Sequence, residues 1–161
     1  LMERAVPPEV TGGDFETVLT EYRDWYQAHN CVATAPYPGI PTLLAALAKA
    51  GIKTAVVSNK PDATTKTLAA RFFPGLPAFG QRDDVPPKPA PDLVFRALET
   101  LGVDAADAIY VGDSEVDVAT ARNAGLPLAA VSWGFRGRRA LAEAGAAVIV
   151  DTAAELLEVL R

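Results

Sequence analysis

Three apolar, β-favouring residues, Ile109-Tyr110-Val111, run into Gly112, and Asp113 follows at once. Asp117 comes four residues later, with helix-forming residues beyond it. That order reads as a buried strand, a tight turn and a helix start. The turn puts Asp113 at the carboxyl end of a strand, where open α/β sheets bind ligands. Asp117 falls in or near the first turn of the helix, so both carboxylates can face one small volume. Two carboxylates at a strand's end suit a hard cation such as Mg²⁺. Ser114-x-x-Asp117 is equally a good helix cap, and the stretch alone leaves both readings open.

The rest of the chain places itself around this unit. Residues 1–13 are rich in Pro and Gly and read as the tail of one element followed by a loop. The spacing of Phe15, Val18, Leu19, Tyr22, Trp25 and Tyr26 predicts a helix over Asp14–His29, with Asp14 as its N-cap and the aromatic stripe as packing surface. A Pro- and Gly-containing loop over 30–40 marks the best domain boundary. From Pro41 helices and strands alternate: helix Pro41–Ala50, strand Ile52–Val57, helix Pro61–Phe73, short strand Ala78–Gln81, helix Asp92–Leu101, strand Ile109–Val111, helix Val116–Ala124, strand Leu128–Ser132, helix Arg138–Ala144, strand Ala147–Val150 and helix Ala153–Leu160. The strands are near-continuous apolar runs, as in a parallel sheet covered by helices on both faces, and helical connections imply right-handed crossovers.

Bulk properties narrow the function. A length of 161 residues allows one domain, or one domain and a small appendage. Fifteen basic against twenty acidic residues, with no basic run, argue against a nucleic-acid groove. No apolar run is long enough to span a bilayer, and Leu1-Met2-Glu3-Arg4 has no signal-peptide layout. The single cysteine, Cys31, rules out an internal disulfide or a multi-cysteine metal site and fits a cytoplasmic setting.

Three strand-end positions stand out: Ser58 with Asn59, Lys88, and Asp113 with Asp117. Lys88 lies in Pro87-Lys88-Pro89-Ala90-Pro91-Asp92, where prolines restrict the backbone and lower the entropy lost in fixing its direction. Ammonium, hydroxyl, backbone N–H and Mg²⁺ together are what a dianionic phosphoryl group needs.

Val56-Val57-Ser58-Asn59-Lys60, Lys88-Pro89-Ala90-Pro91-Asp92 and Gly112-Asp113-Ser114-x-x-Asp117 resemble, in order and spacing, motifs II, III and IV of the haloacid dehalogenase (HAD) superfamily. The variant is most similar to the phosphoglycolate phosphatase-like branch, and Tyr37-Pro38-Gly39 fits that branch too. The resemblance implies a Rossmann-like α/β core over 36–161 and, over 1–35, the last part of a helical cap. It implies an Mg²⁺-dependent phosphomonoesterase acting on a small phosphorylated metabolite through an aspartyl-phosphate. Ser58 and the Asn59 N–H would bind the transferring phosphoryl group, and Lys88 would neutralise its charge. Asp113 would ligate Mg²⁺, and Asp117 would orient Lys88 or a metal-bound water. Trp133 and Arg136 would lie in a substrate-facing loop, although packing and solvated roles fit them as well.

The family's nucleophile, in an apolar strand ending Asp-x-Asp-x-Thr/Val, has no counterpart in these residues. The resemblance therefore implies a segment preceding Leu1, and a fragment that is inactive alone. In the family that missing strand is central. Without it the strands ending at Ser58 and Asp113 would stand about 9–10 Å apart with unpaired backbone groups. Each buried unpaired group costs on the order of 1–3 kcal/mol, against a typical domain stability of about 5–15 kcal/mol. Self-association through the exposed sheet gap is one relief. Two alternatives stay open: a sugar-phosphate mutase, and a non-catalytic binding module that has lost its first motif. A phospho-accepting receiver domain does not fit, because Lys88 precedes Asp113. Residues 1–161 expressed alone are expected not to fold as a closed monomer; a soluble, cooperatively melting monomer with native strand order would contradict this.

Overall fold

A computed structural model describes residues 5–161, so the N-terminal Leu1–Arg4, read above for a signal layout, lies outside the described residues. The chain divides into two compact units, Leu1–Ala35 and Pro36–Arg161. Among its described residues the first holds one helix, α1 (Gly12–His29), which starts before Asp14 and has Thr11 at its N-cap. Its aromatic residues do not form a core. Tyr22 stacks on Tyr26 and Trp25 on His29, at ring separations of 5.8 and 4.5 Å, along the helix surface. No side chain of α1 is buried, because the described residues of that unit offer the helix no second helix or strand to pack against.

The second unit runs α2 (Ile40–Lys49), β1 (Val56–Pro61), α3 (Asp62–Phe72), β2 (Ala78–Gln81), α4 (Asp92–Leu101), a 3₁₀ turn at Ala105–Asp107, β3 (Tyr110–Gly112), α5 (Glu115–Ala124), β4 (Leu128–Val131), α6 (Gly137–Glu143), β5 (Val148–Val150) and α7 (Ala153–Val159). The apolar runs and glycine stops explain most boundaries. Gly102 and Gly125 close α4 and α5 in the left-handed region, where a side chain would be strained. The main departure is β1. Expected over Ile52–Val57, it begins at Val56 and carries Ser58, Asn59 and Lys60 within the strand. The reason is pairing: Val56 aligns with Ala78, Val57 with Phe79 and Pro61 with Gln81, with an irregularity between Val57 and Pro61. Backbone hydrogen bonding to β2 thus carries the strand past the point where its side chains turn polar.

All strand pairs are parallel, and they form two sheets, β1-β2 and β3-β4-β5. No pairing joins β1 to β3 among the described residues. Side chains link the two sheets instead. Val94 of α4 and Tyr110 of β3 share a cluster with Ala121, Ala124 and Leu126, and Val57 of β1 packs against it. β4 is the buried centre of the larger sheet. Ala129 and Val131 meet Leu43, Leu47, Val150 and Leu156 on one face, while Ala130 meets Val118 and Leu141 on the other. Val111, aligned with Ala129 and so on the same face, is 41% exposed. This is an α/β fold with a Rossmann-like, parallel, helix-flanked core. No helix among the described residues is long and apolar enough to cross a membrane.

Leu141 is fully buried between α5 and β4. Leu141→Ala is expected to lower unfolding free energy by about 3 kcal/mol, from lost transfer energy plus the residual cavity. Val159→Ala, on the half-exposed end of α7, should change it by less than about 1 kcal/mol. Urea denaturation of the two variants in the full-length gene product measures the contrast.

Candidate active site

The proline-rich loop has few backbone donors, so its placement can be accounted for completely. Between Pro86 and Pro91 only Lys88 and Ala90 carry N–H groups. The Ala90 N–H donates to Pro87 O at 3.0 Å. The Lys88 N–H donates to Asn59 Oδ1 at 2.7 Å, and Asn59 Nδ2 donates back to Lys88 O at 3.0 Å. Asn123 Nδ2, near the end of α5, donates to Pro89 O at 2.9 Å. Two asparagines from distant elements therefore hold the main chain on either side of Lys88. Its side chain is directed toward β3 and α5.

There the Lys88 ammonium meets Asp117 Oδ1 at 2.8 Å and the Tyr110 hydroxyl at 3.3 Å. Asp117 is buried and Lys88 nearly so, with side chains 7% and 13% exposed. The Tyr110 hydroxyl donates to the same Oδ1 at 3.1 Å. Asp117 Oδ2 accepts from the Ser114 hydroxyl at 2.6 Å and from the Asp113 N–H at 3.2 Å. Ser114 Oγ accepts from the Asp117 N–H at 3.3 Å, so the helix cap and the ion-pair site are one arrangement. Burial pushes the Asp117 carboxyl up, but Lys88 and the hydrogen bonds from Lys88, Ser114 and Asp113 outweigh it and leave it below the ordinary aspartate value. Burial, reinforced by Asp117, drives the Tyr110 phenol well above its ordinary value, so it stays a neutral donor.

Asp113 is placed differently. Its Oδ2 accepts the Phe135 N–H at 2.9 Å from the loop after β4, and its Oδ1 takes no hydrogen bond from the described residues. Two glycines make the close approaches possible. A Cβ on Gly112 would collide with Asp117, and one on Gly134 would collide with the Asp113 carboxylate. Asp117 has both oxygens engaged, whereas Asp113 has one to offer. No cluster of three or more His, Cys, Asp or Glu side chains placed to hold a metal occurs among the described residues.

The structure thus brings Lys88, Asp113 and Asp117 together. Ser58 makes no bond to them; its Oγ accepts the Lys60 N–H at 3.1 Å. Asn59 touches the site through its side chain, on the Lys88 backbone. Trp133 packs against the core cluster of α2, β4, β5 and α7. Arg136 pairs with Glu115 at the start of α5, at 2.7 Å. Tyr110 is the member that sequence reasoning missed, because a tyrosine in an apolar strand reads as packing. Its position two residues before Gly112-Asp113 was the available signal.

The chain is similar to known proteins over most of its length. A family model for haloacid dehalogenase-like hydrolases matches residues 8–125. The N-acetylmuramic acid 6-phosphate phosphatase of Pseudomonas aeruginosa is 35% identical over 156 residues, covering 91% of this chain and 67% of that protein. The phosphoglycolate phosphatase of Rhodospirillum rubrum is 35% identical over 141 residues, covering 86% of this chain and 58% of that protein. A crystal structure from Lactobacillus delbrueckii subsp. bulgaricus, provisionally assigned as a phosphoglycolate phosphatase, is 40% identical with a TM-score of 0.89. That match covers 96% of this chain and 66% of the other. Family model, relatives and fold agree: the chain belongs to the haloacid dehalogenase-like hydrolases, in the phosphoglycolate phosphatase-like branch.

Proposed function

We propose that this chain supplies the phosphate- and metal-binding half of an Mg²⁺-dependent phosphomonoester hydrolase acting on a small phosphorylated metabolite in the cytoplasm. One observation carries the reading. A largely buried ammonium is locked to Asp117, while the neighbouring Asp113 keeps an oxygen that takes no hydrogen bond from the described residues. Lys88, Asp117 and Asp113 together sum to one negative charge, which would repel a phosphate dianion. A divalent cation on Asp113 reverses that sign. The donor set fits Mg²⁺, which is commonly held by one or two carboxylates, water and substrate phosphate.

Within this reading Asp113 would hold the ion, which would supply charge neutralisation for the phosphoryl group. Lys88, aimed by Asn59 and Asp117, would place a second positive charge beside it. Ser58 would donate its hydroxyl, and Asn59 its backbone N–H, to phosphoryl oxygens. Asp117 would keep Lys88 charged and directed rather than bind metal. The attacking aspartate, and the aspartyl-phosphate formed on it, fall to a carboxylate outside these 161 residues, since no Asp-x-Asp strand end occurs among them. The chain taken alone is accordingly inactive in this reading. Residues 1–35 would be part of a helical cap, and Trp133 and Arg136 would border the substrate. The unpaired edges of β1 and β3 would be the route for self-association. The relatives' substrates, N-acetylmuramic acid 6-phosphate and phosphoglycolate, define the first compounds to assay.

The full-length gene product should hydrolyse p-nitrophenyl phosphate only with Mg²⁺ present. Lys88→Ala and Asp113→Asn should each lower kcat by about 10²-fold or more with the fold retained, as removal of a transition-state charge partner does. Unchanged turnover in either variant would refute the assignment.

Asp117→Asn leaves a buried ammonium without its counter-ion. It should lower unfolding free energy by about 3 kcal/mol. Because the folded Asp117 carboxyl lies below the ordinary value, its stabilisation is present above about pH 4 and is lost as pH falls through the lower folded value. The variant's stability should therefore vary less than the wild type's over that acid range, as measured by urea titrations at stepped pH.

A further inference from the structure

Asp151 follows β5 and touches none of the groups described so far as binding phosphate or metal, yet its carboxylate holds both ends of the loop after β4. Ser132 Oγ donates to Oδ1 at 2.5 Å. Arg138 donates from Nε to Oδ1 at 3.2 Å and from Nη2 to Oδ2 at 2.9 Å. The same Nη2 reaches Ile149 O at 3.0 Å, and the Ser132 N–H donates to Val150 O at 3.0 Å. Asp151 is itself held, its N–H donating to Glu155 Oε2 at 2.9 Å. Ser132 opens the loop and Arg138 lies in the first turn of α6 just beyond it, so one carboxylate gathers the segments that flank the loop.

The middle of that loop makes the contact with Asp113. Gly134 lies so close to the Asp113 carboxylate that a Cβ would overlap it, and the Phe135 N–H donates to Oδ2. Burial of Phe135 does not hold the loop in place, because its side chain is 86% exposed. Trp133 packs on the core, but it precedes the contact. The Arg136–Glu115 and Arg138–Asp151 pairs are both half exposed, so neither charge pairing contributes much by itself. Asp151 differs in geometry: its carboxylate takes the Ser132 hydroxyl as well as a forked pair of donors from Arg138, so it joins two segments.

We propose that Asp151 is a positioning residue: by gripping Ser132 and Arg138 it holds residues 132–138 against Asp113 and so sets the direction in which Asp113 presents its open oxygen. The consequence for metal affinity rests on the reading of Asp113 as the metal ligand; the mechanical link does not.

The test uses the full-length gene product with Asp151→Ala, Ser132→Ala, Asp113→Asn and, as a control, Arg139→Ala, which removes an exposed pair with Glu143. Two readouts are followed: amide hydrogen exchange at Phe135 by NMR, and Mn²⁺ affinity by electron paramagnetic resonance. Asp151→Ala and Ser132→Ala are expected to speed Phe135 exchange by about fivefold or more, as loss of a hydrogen-bonded restraint does. Exchange at Tyr110 and Ala130 should stay unchanged, as should Phe135 exchange in Arg139→Ala. Mn²⁺ affinity should fall by about tenfold in Asp151→Ala, the scale seen when an outer partner of a ligand is removed. Wild-type Phe135 exchange in a folded Asp151→Ala protein overturns the proposal. So does faster exchange with wild-type Mn²⁺ affinity, if Asp113→Asn abolishes binding. If Asp113→Asn itself binds Mn²⁺ normally, the metal reading fails, and Phe135 exchange alone then decides for or against the mechanical link.

Discussion

The site depends on a largely buried ion pair whose carboxylate is satisfied on both oxygens. An ammonium and a carboxylate removed from water are costly unless their hydrogen-bonding capacity is filled. Asp117 meets that condition with Lys88 and Tyr110 on one oxygen and Ser114 and the Asp113 N–H on the other. Tyr110 comes from β3, Asp117 from α5, and Lys88 from a loop ahead of α4. The pair therefore ties together three segments that no strand pairing joins. It also separates two carboxylates four residues apart: Asp117 is committed to internal partners, while one Asp113 oxygen takes no hydrogen bond from the described residues.

The arrangement of the sheets explains why so much rests on side chains. β1-β2 and β3-β4-β5 are distinct sheets, and the apolar cluster around Val94 and Tyr110 spans the space between them. Across the same region run the Asn59 contacts to Lys88 and the Asn123 contact to Pro89. These carry the positional information that backbone ladders supply within each sheet.

Legibility in the sequence followed the range of the interactions. Helices ended by glycine and strands made of apolar runs could be read locally, and Ala78–Gln81 and Asp92–Leu101 have the expected bounds. Lys88, Asp113 and Asp117 could be grouped because proline confinement and strand-end placement are local signals. What could not be read depends on partners far along the chain. The extension of β1 through Ser58-Asn59-Lys60 follows from alignment with β2. The Asn59 carboxamide finds the backbone of a residue 29 positions away. Tyr110 looks like core until α5 brings Asp117 under its hydroxyl. The α1 stripe obeyed helical spacing without a core to serve, since periodicity shows which residues share a face and not what covers it.

The grip of Asn59 on Lys88 engages only peptide atoms, the N–H and C=O common to nearly every residue. Nothing in that contact reads which side chain position 88 carries. The path of the loop and the charge at its tip are thus encoded separately, so that the tip can change chemically while the loop keeps its course. A descendant of this chain could exchange the ammonium for another functional group, with a matching change at its counter-ion Asp117, and the loop would present the newcomer from the same place.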